Sequence, residues 1–362
     1  MEYQSKIKQL IKTSKKVILS CCLENGGIVA ANSTKSYYPK EAKNYFYIWP
    51  RDASFTCIAA DILGIKDIQE KFFNWLIERA EGWKETGLFY EKYYPNGLWA
   101  LNRFQPDQTG MVLFAIWHHF KHDKEKVKKY KRLIINSANG ICKTWKKEHF
   151  DAVTNDLWEE RFTFPDLKEN FTYSLAACIK GLECANQFFP NKNYTDTENS
   201  MKRVLLKAAN TKGYFFRSFG DINDERIDAS LLGIVWPFEI VSPKTKNLLI
   251  KNTINKIKKT LVRNFGVYRY EHDEYDGWMY RTIHRKKGAG FWPLLNFWMS
   301  IVLCKMGERK EALKYYNKVL NHLEDNNFIP EQIFENNIQK SISPSCWSHA
   351  MFILASKELG CL

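Results

Sequence analysis

The 362 residues include only 18 glycines and 11 prolines, too few for a fibrous chain or one dominated by flexible linkers. No stretch rich in proline, glycine or serine marks a domain boundary, and no segment repeats at a fixed period, so nothing supports a solenoid of similar units. Long apolar runs are missing too. Nothing approaches the roughly 18 uninterrupted apolar residues a spanning helix needs, and Val17 to Leu23, after a lysine-rich start, is too short for a signal-peptide core. The nine cysteines have no CxxC pair and no regular spacing, so they are expected to be reduced and the protein cytoplasmic. No cofactor-binding pattern is present. His118, His119 and His122 lack a carboxylate at metal-ligand spacing, which disfavours a zinc hydrolase and leaves no metal expected.

What is present is ordinary globular composition, 45% hydrophobic and 26% charged, with one excess: 12 Trp, 18 Tyr and 24 Phe match the 54 Lys and Arg in number. Disorder is therefore excluded as the main state, and the aromatics need a use. The net charge of +14 would suit an anionic partner, but the cations are scattered through Lys6 to Lys16, Lys121 to Arg132, Lys244 to Lys259 and Lys305 to Lys318. These read as solvated helix faces, so neither nucleic acid nor a membrane surface is the expected partner.

Helical periodicity runs almost throughout. Ile7, Leu10, Ile11, Val17 and Ile18 share one face of a first helix, and Phe55, Ile58, Ala59 and Ile62 fit a second. Further helices are expected near 66–81, 108–121, 127–148, 171–188, 199–209, 228–238, 245–262, 291–306, 308–323 and 346–359, with little strand. Ser242-Pro243 marks one start, and Gly307 separates two helices. Six long loops, 24–51, 82–107, 149–170, 211–227, 264–290 and 324–346, alternate with about six helix pairs. That pattern suggests helical hairpins with their elaborate loops at one end.

Three constellations lie in those loops, where binding and catalytic groups tend to be carried. Tyr45-Phe46-Tyr47-Ile48-Trp49-Pro50-Arg51-Asp52 leads four aromatics into an Arg-Asp pair. Asp156-Leu157-Trp158-Glu159-Glu160-Arg161 places two carboxylates after a tryptophan, and Phe328-Ile329-Pro330-Glu331-Gln332 holds a lone glutamate behind a proline. Singly, Asp52 reads as a helix N-cap, Glu159 and Glu160 as solvated charges, Glu331 as a loop residue paired to lysine, and the stripe Phe291, Trp292, Leu294, Leu295, Trp298 as core. Jointly they supply what a glycosidase needs. Aromatic faces stack on the C–H faces of sugars, Arg and Asp bind hydroxyls, and one carboxyl protonates the leaving oxygen while another attacks or activates water. A tryptophan beside a carboxyl group also raises its pKa by desolvation.

In order along nearly the whole chain, Gly26 to Ala31, Tyr45 to Asp52 with its WxRD block, Gln105-Pro106-Asp107, Asp156 to Glu160 with its LWEE block, Asp228 to Leu232, Arg269-Tyr270, Phe291 to Leu294, Pro330-Glu331-Gln332 and Trp347 to Ala350 make the sequence resemble glycoside hydrolase family 15, the glucoamylase family. The resemblance implies an all-α fold, an (α/α)6 barrel with its active site in the loops at one end, and the catalytic barrel alone over 1–362. It implies an inverting exo-acting α-glucosidase with Glu159 as general acid and Glu331 as general base. By the same resemblance Arg51, Asp52, Glu160 and Arg269 bind the sugar, Tyr45, Trp49, Trp158, Trp292 and Trp347 line the pocket, and Asp107 belongs to the site from a helix start. The implied partner is an oligosaccharide or glucan, with no cofactor. Trehalase and dextran-type α-1,6-glucosidase activities occur in the same family, and a non-catalytic glucan-binding relative is the rival outside enzymology. Retention of both glutamates speaks against that rival. The WxRD pair, suited to neutral hydroxyls, speaks against an enzyme acting on acidic sugars.

Overall fold

The computed structural model describes residues 2–242, 247–277, 289–336 and 339–362. Three long helices, Pro50–Ile62, Pro106–Phe120 and Pro293–Lys305, begin with proline at the first turn. There proline's missing N–H leaves nothing unpaired, and its φ is already helical. With Thr172–Phe188, Cys346–Glu358 and the 3-10 segment Ala229–Ile234, these helices form a closed ring. Pro50–Ile62 packs on Pro106–Phe120, which packs on Thr172–Phe188, then Ala229–Ile234, Pro293–Lys305, Cys346–Glu358 and back to Pro50–Ile62.

Each ring element carries an outer helix. Glu2–Cys21 lies against Cys346–Glu358, Ile68–Glu78 against Pro50–Ile62, Lys131–Thr144 against Pro106–Phe120, Lys192–Lys212 against Thr172–Phe188, Leu248–Leu261 against Ala229–Ile234 and Arg309–Leu320 against Pro293–Lys305. This is an (α/α)6 barrel.

The two rings differ as their sequences require. The inner helix Pro293–Lys305 is buried at every position from Pro293 to Leu303, as expected for an element apolar all round. The outer helix Glu2–Cys21 buries Ile7, Leu10, Ser14, Val17, Ile18 and Cys21, while Lys6, Lys8, Lys12, Lys15 and Lys16 stay exposed. Each such buried aliphatic side chain contributes about 1.5–3 kcal/mol relative to exposure. Gly110 and Gly181 let two inner helices touch backbone to backbone: a Cβ on Gly110 would lie 2.4 Å from the Ala177 carbonyl oxygen.

Two expectations change. The helix expected over 228–238 is only the 3-10 segment Ala229–Ile234, because Pro237 follows and disfavours helical backbone at Trp236. The helix expected from Ser242-Pro243 starts instead at Leu248, where the Asn247 side chain accepts the N–H groups of Leu249 and Ile250. Pro243 and the expected helical residues 245–246 lie outside the described residues, as do 278–288 of the loop at 264–290. Short strands exist among the described residues, in four antiparallel pairs within the long loops. Among the described residues, no helix is long and apolar enough to cross a membrane.

Candidate active site

The N-terminal ends of the inner elements carry the unusual residues. Trp49 and Trp292 are the residues before Pro50–Ile62 and Pro293–Lys305, Asp228 precedes Ala229–Ile234, and Trp347 is the second residue of Cys346–Glu358. Arg51 and Asp52 lie in the first turn of Pro50–Ile62. Asp52 is therefore not the N-cap, a position Trp49 holds without a side-chain cap bond. The carboxylate instead adds negative charge to the positive end of the helix dipole.

Eleven of the twelve residues singled out from sequence line one cavity of about 290 Å³: Tyr45, Trp49, Arg51, Asp52, Trp158, Glu159, Glu160, Arg269, Trp292, Glu331 and Trp347. Asp107 is the exception. It is wholly buried behind the wall, where Arg51 donates to its Oδ2 at 2.9 Å and Ser174 to its Oδ1 at 3.3 Å. The Arg51 guanidinium also donates to Gln105 at 3.2 Å and to Asp52 at 3.2 Å, and lies 5.1 Å from the ring centre of Trp347. Its charge is thereby held in one place.

Glu159 and Glu160 sit on a tight turn between the paired strands Thr154–Asn155 and Phe162–Thr163. Asp156 organises it, its carbonyl accepting the Glu159 N–H at 3.0 Å and its carboxylate the N–H groups of Glu160 and Arg161 at 2.8 and 3.1 Å. Glu159 takes a left-handed backbone, φ +65°, and the two neighbouring side chains part company. Glu159 accepts the Trp49 indole N–H at 2.5 Å and the Lys92 ammonium at 3.1 Å. Glu160 accepts from Arg269 at 2.8 Å and from the Tyr270 hydroxyl.

Glu331 comes from a different loop, pinned by its N–H to the Ile342 carbonyl at 2.9 Å. Burial pushes its carboxyl up to about 7 and Glu159 adds to the rise, whereas the Tyr45 hydroxyl bond and the Arg269 and Lys43 cations oppose it. Burial likewise lifts Asp52 to about 7 against the pull of Arg51. Arg269, itself buried, is clamped by Asp273 through two 2.8 Å bonds and lies within 5.4 Å of the ring centres of Trp158, Tyr275 and Trp292. The Trp158 indole donates to Asp228 at 3.0 Å, and its ring meets Trp292 at 5.6 Å.

Sequence reasoning missed Lys43, Tyr275 and Lys92. Lys43 and Tyr275 line the cavity, the lysine 5.4 Å from the tyrosine ring centre, and Lys92 reaches Glu159. The one signal was an adjacent charge pair, Glu91-Lys92, inside the aromatic run Phe89 to Tyr94.

The family model for glycosyl hydrolases family 15 matches residues 77–357. An uncharacterized glycosyl hydrolase of Methanocaldococcus jannaschii is 29% identical over 98% of this chain, which spans 56% of that protein's length. An isomaltose glucohydrolase of Kribbella flavida is 22% identical over 87% of this chain and 85% of its own. Among solved structures, a glycosidase variant in complex with glucose superposes with a TM-score of 0.81 at 19% identity, covering 100% of this chain and 99% of that one.

Proposed function

Because the chain belongs to glycosyl hydrolase family 15, we propose that it is a glycoside hydrolase, an inverting exo-acting α-glucosidase removing terminal glucose from α-linked oligo- or polysaccharides. The observation that carries this reading is one cavity lined by Glu159 and Glu331 from separate loops, together with the Arg51-Asp52 pair and the rings of Trp49, Trp158, Trp292 and Trp347. At about 290 Å³ the cavity is at the small end for ligand sites, which favours a terminal sugar over a threaded chain. Residues 1–362 act in this reading as one catalytic barrel working in the cytoplasm.

Glu159 is the general acid. Its proton passes to the glycosidic oxygen as the bond from that oxygen to the anomeric carbon breaks. Glu331 is the general base, and its Oε2, which has no hydrogen-bond partner among the described residues, takes a proton from the water that attacks the opposite face of the ring. Arg51 and Asp52 hold the outer hydroxyls, Glu160 and Arg269 the neighbouring ones, and the aromatic rings stack on the C–H faces. Asp107 acts through Arg51.

The likeness to an isomaltose glucohydrolase over most of both chains supports a second reading within the same mechanism, an α-1,6-glucosidase. Released glucose measured on maltose, maltooligosaccharides, isomaltose and trehalose separates the linkages, with trehalase as the third outcome. Inactivity on all four overturns the enzyme reading in favour of a glucan-binding protein. NMR of the first product tests inversion: β-glucose is expected, and α-glucose contradicts it.

A further inference from the structure

Lys92 contacts two carboxyl groups. Its Nζ lies 3.1 Å from Glu159 Oε2 and 3.3 Å from Glu91 Oε1. Glu91 is wholly buried, and among the described residues neither of its oxygens makes a hydrogen bond of good geometry, so the Lys92 contact is chiefly one of charge. Beyond Lys92, Arg103 approaches Glu91 Oε2 at 3.7 Å from a largely exposed position. The Glu91 backbone is fixed on both sides, its N–H by the Arg103 carbonyl at 2.9 Å and its carbonyl by the Gln108 amide at 3.1 Å. The oxygen of that Gln108 amide accepts the Arg51 N–H at 2.6 Å. Glu91 is thus tied to the framework that holds the sugar-facing arginine.

A lysine against a general acid works the wrong way, because a nearby cation favours the ionised carboxylate. Counting charge on the three groups removes the contradiction. Glu91, Lys92 and Glu159 are neutral in sum when the two carboxyls share one proton. Without Glu91, the neutral state of the remainder is a closed pair of ammonium and carboxylate with no proton to give.

Resting on the proposed role of Glu159, we propose that Glu91 is a positioning residue of the acid side: it balances Lys92 so that the Glu91-Glu159 pair retains the proton Glu159 delivers to the leaving oxygen. Burial, reinforced by the charge of Glu159, pushes the Glu91 carboxyl well above the ordinary carboxylate range, against the pull of Lys92. Arg103 is too exposed and too distant to replace Lys92 as the balancing cation.

The test is the pH profile of kcat/KM for Glu91→Gln on the preferred disaccharide, with the fold checked by circular dichroism. The alkaline limb, which reports loss of the acid's proton, is expected to move down by about one pH unit, with KM within about twofold of wild type. On α-glucosyl fluoride, whose fluoride leaves without protonation, turnover is expected to stay near wild type. An unmoved limb, or equal losses on both substrates, overturns the proposal and leaves Glu91 a structural ion-pair partner. If Glu91→Gln does not fold, Lys92→Met carries the test: its limb must move to higher pH, and an unmoved limb overturns the proposal. Glu159→Gln run beside it separates the two claims. If it retains activity, the acid assignment and this proposal fall together. If it is inactive while the Glu91→Gln limb is unmoved, only the role of Glu91 falls.

Discussion

The Tyr45 hydroxyl donates to Glu331 Oε1 at 3.0 Å, and the other oxygen of that buried carboxylate has no hydrogen-bond partner among the described residues. One oxygen is fixed and the other is open to a proton. Donation from Tyr45 favours the charged form of Glu331, as do Arg269 and Lys43, while burial opposes it. In Tyr45→Phe the carboxyl therefore becomes harder to ionise. The acid limb of kcat/KM, near pH 7 in the wild type if Glu331 is the base, is expected to move to higher pH. A limb that stays put refutes the assignment of that limb to Glu331.

Replacing Glu331 by glutamine has opposite effects on activity and stability. Turnover should fall by at least two to four orders of magnitude, the usual scale for an acid-base group. Stability follows from linkage. The Glu331 carboxyl is raised from 4.5 to about 7 on folding, so the folded protein binds this proton more tightly. The resulting stabilisation is complete below about pH 4.5 and is lost as pH rises through 7. Above that, the wild type carries a buried charge that the variant lacks. Thermal melts should show Glu331→Gln gaining on the wild type between pH 5 and pH 8, by on the order of 3 kcal/mol at most. A constant difference across that range contradicts the raised pKa.

Asp107 faces Arg51 rather than the cavity. Asp107→Asn leaves the Arg51 guanidinium buried with its strongest partner neutralised, and breaking such a pair costs about 3–5 kcal/mol. A clear drop in melting temperature is expected together with a rise in KM, because Arg51 is no longer held. Asp52→Asn, which changes a residue lining the cavity, should weaken substrate binding with a smaller effect on melting. Equal melting temperatures for the two variants would contradict this division of labour.

Gly110 is a test of the barrel itself. A methyl group there meets the Ala177 carbonyl oxygen at 2.4 Å, and the backbone of Thr172–Phe188 has no flexible atom to yield. Gly110→Ala should destabilise by about 1–3 kcal/mol or more, read as a lowered denaturant midpoint. Gly64→Ala, at a position with open space, separates this clash from the backbone strain of a positive φ.

Much of the barrel is legible in the chain because its signals are local. The spacing of Ile7, Leu10, Val17 and Ile18 states which face of the outer helix is buried, and that of Phe55, Ile58, Ala59 and Ile62 marks the inner helix Pro50–Ile62. Failure came where a local pattern met a competing constraint. The apolar run after Asp228 reads as a helix, but Gly233 and Pro237 leave only a 3-10 segment. At Asp52 the acidic residue before an apolar run reads as a cap, yet the helix had already started at Pro50.

By itself the sequence determined that this protein is helical, that the lysines of its first helix lie on a solvated face, and that Glu159, Glu160 and Glu331 lie in loops between helix pairs. Period and turn chemistry act over a few residues and need no knowledge of the rest of the chain. Only the tertiary structure decided that Glu159 and Glu331, far apart in the chain, line one cavity, that Asp107 stands behind the wall, and that Lys92 links Glu159 to Glu91. Those relations depend on which loops the closed ring brings together. The charge state of Glu331 depends on burial and on Tyr45, Arg269, Lys43 and Glu159, none of which is written beside it in the chain.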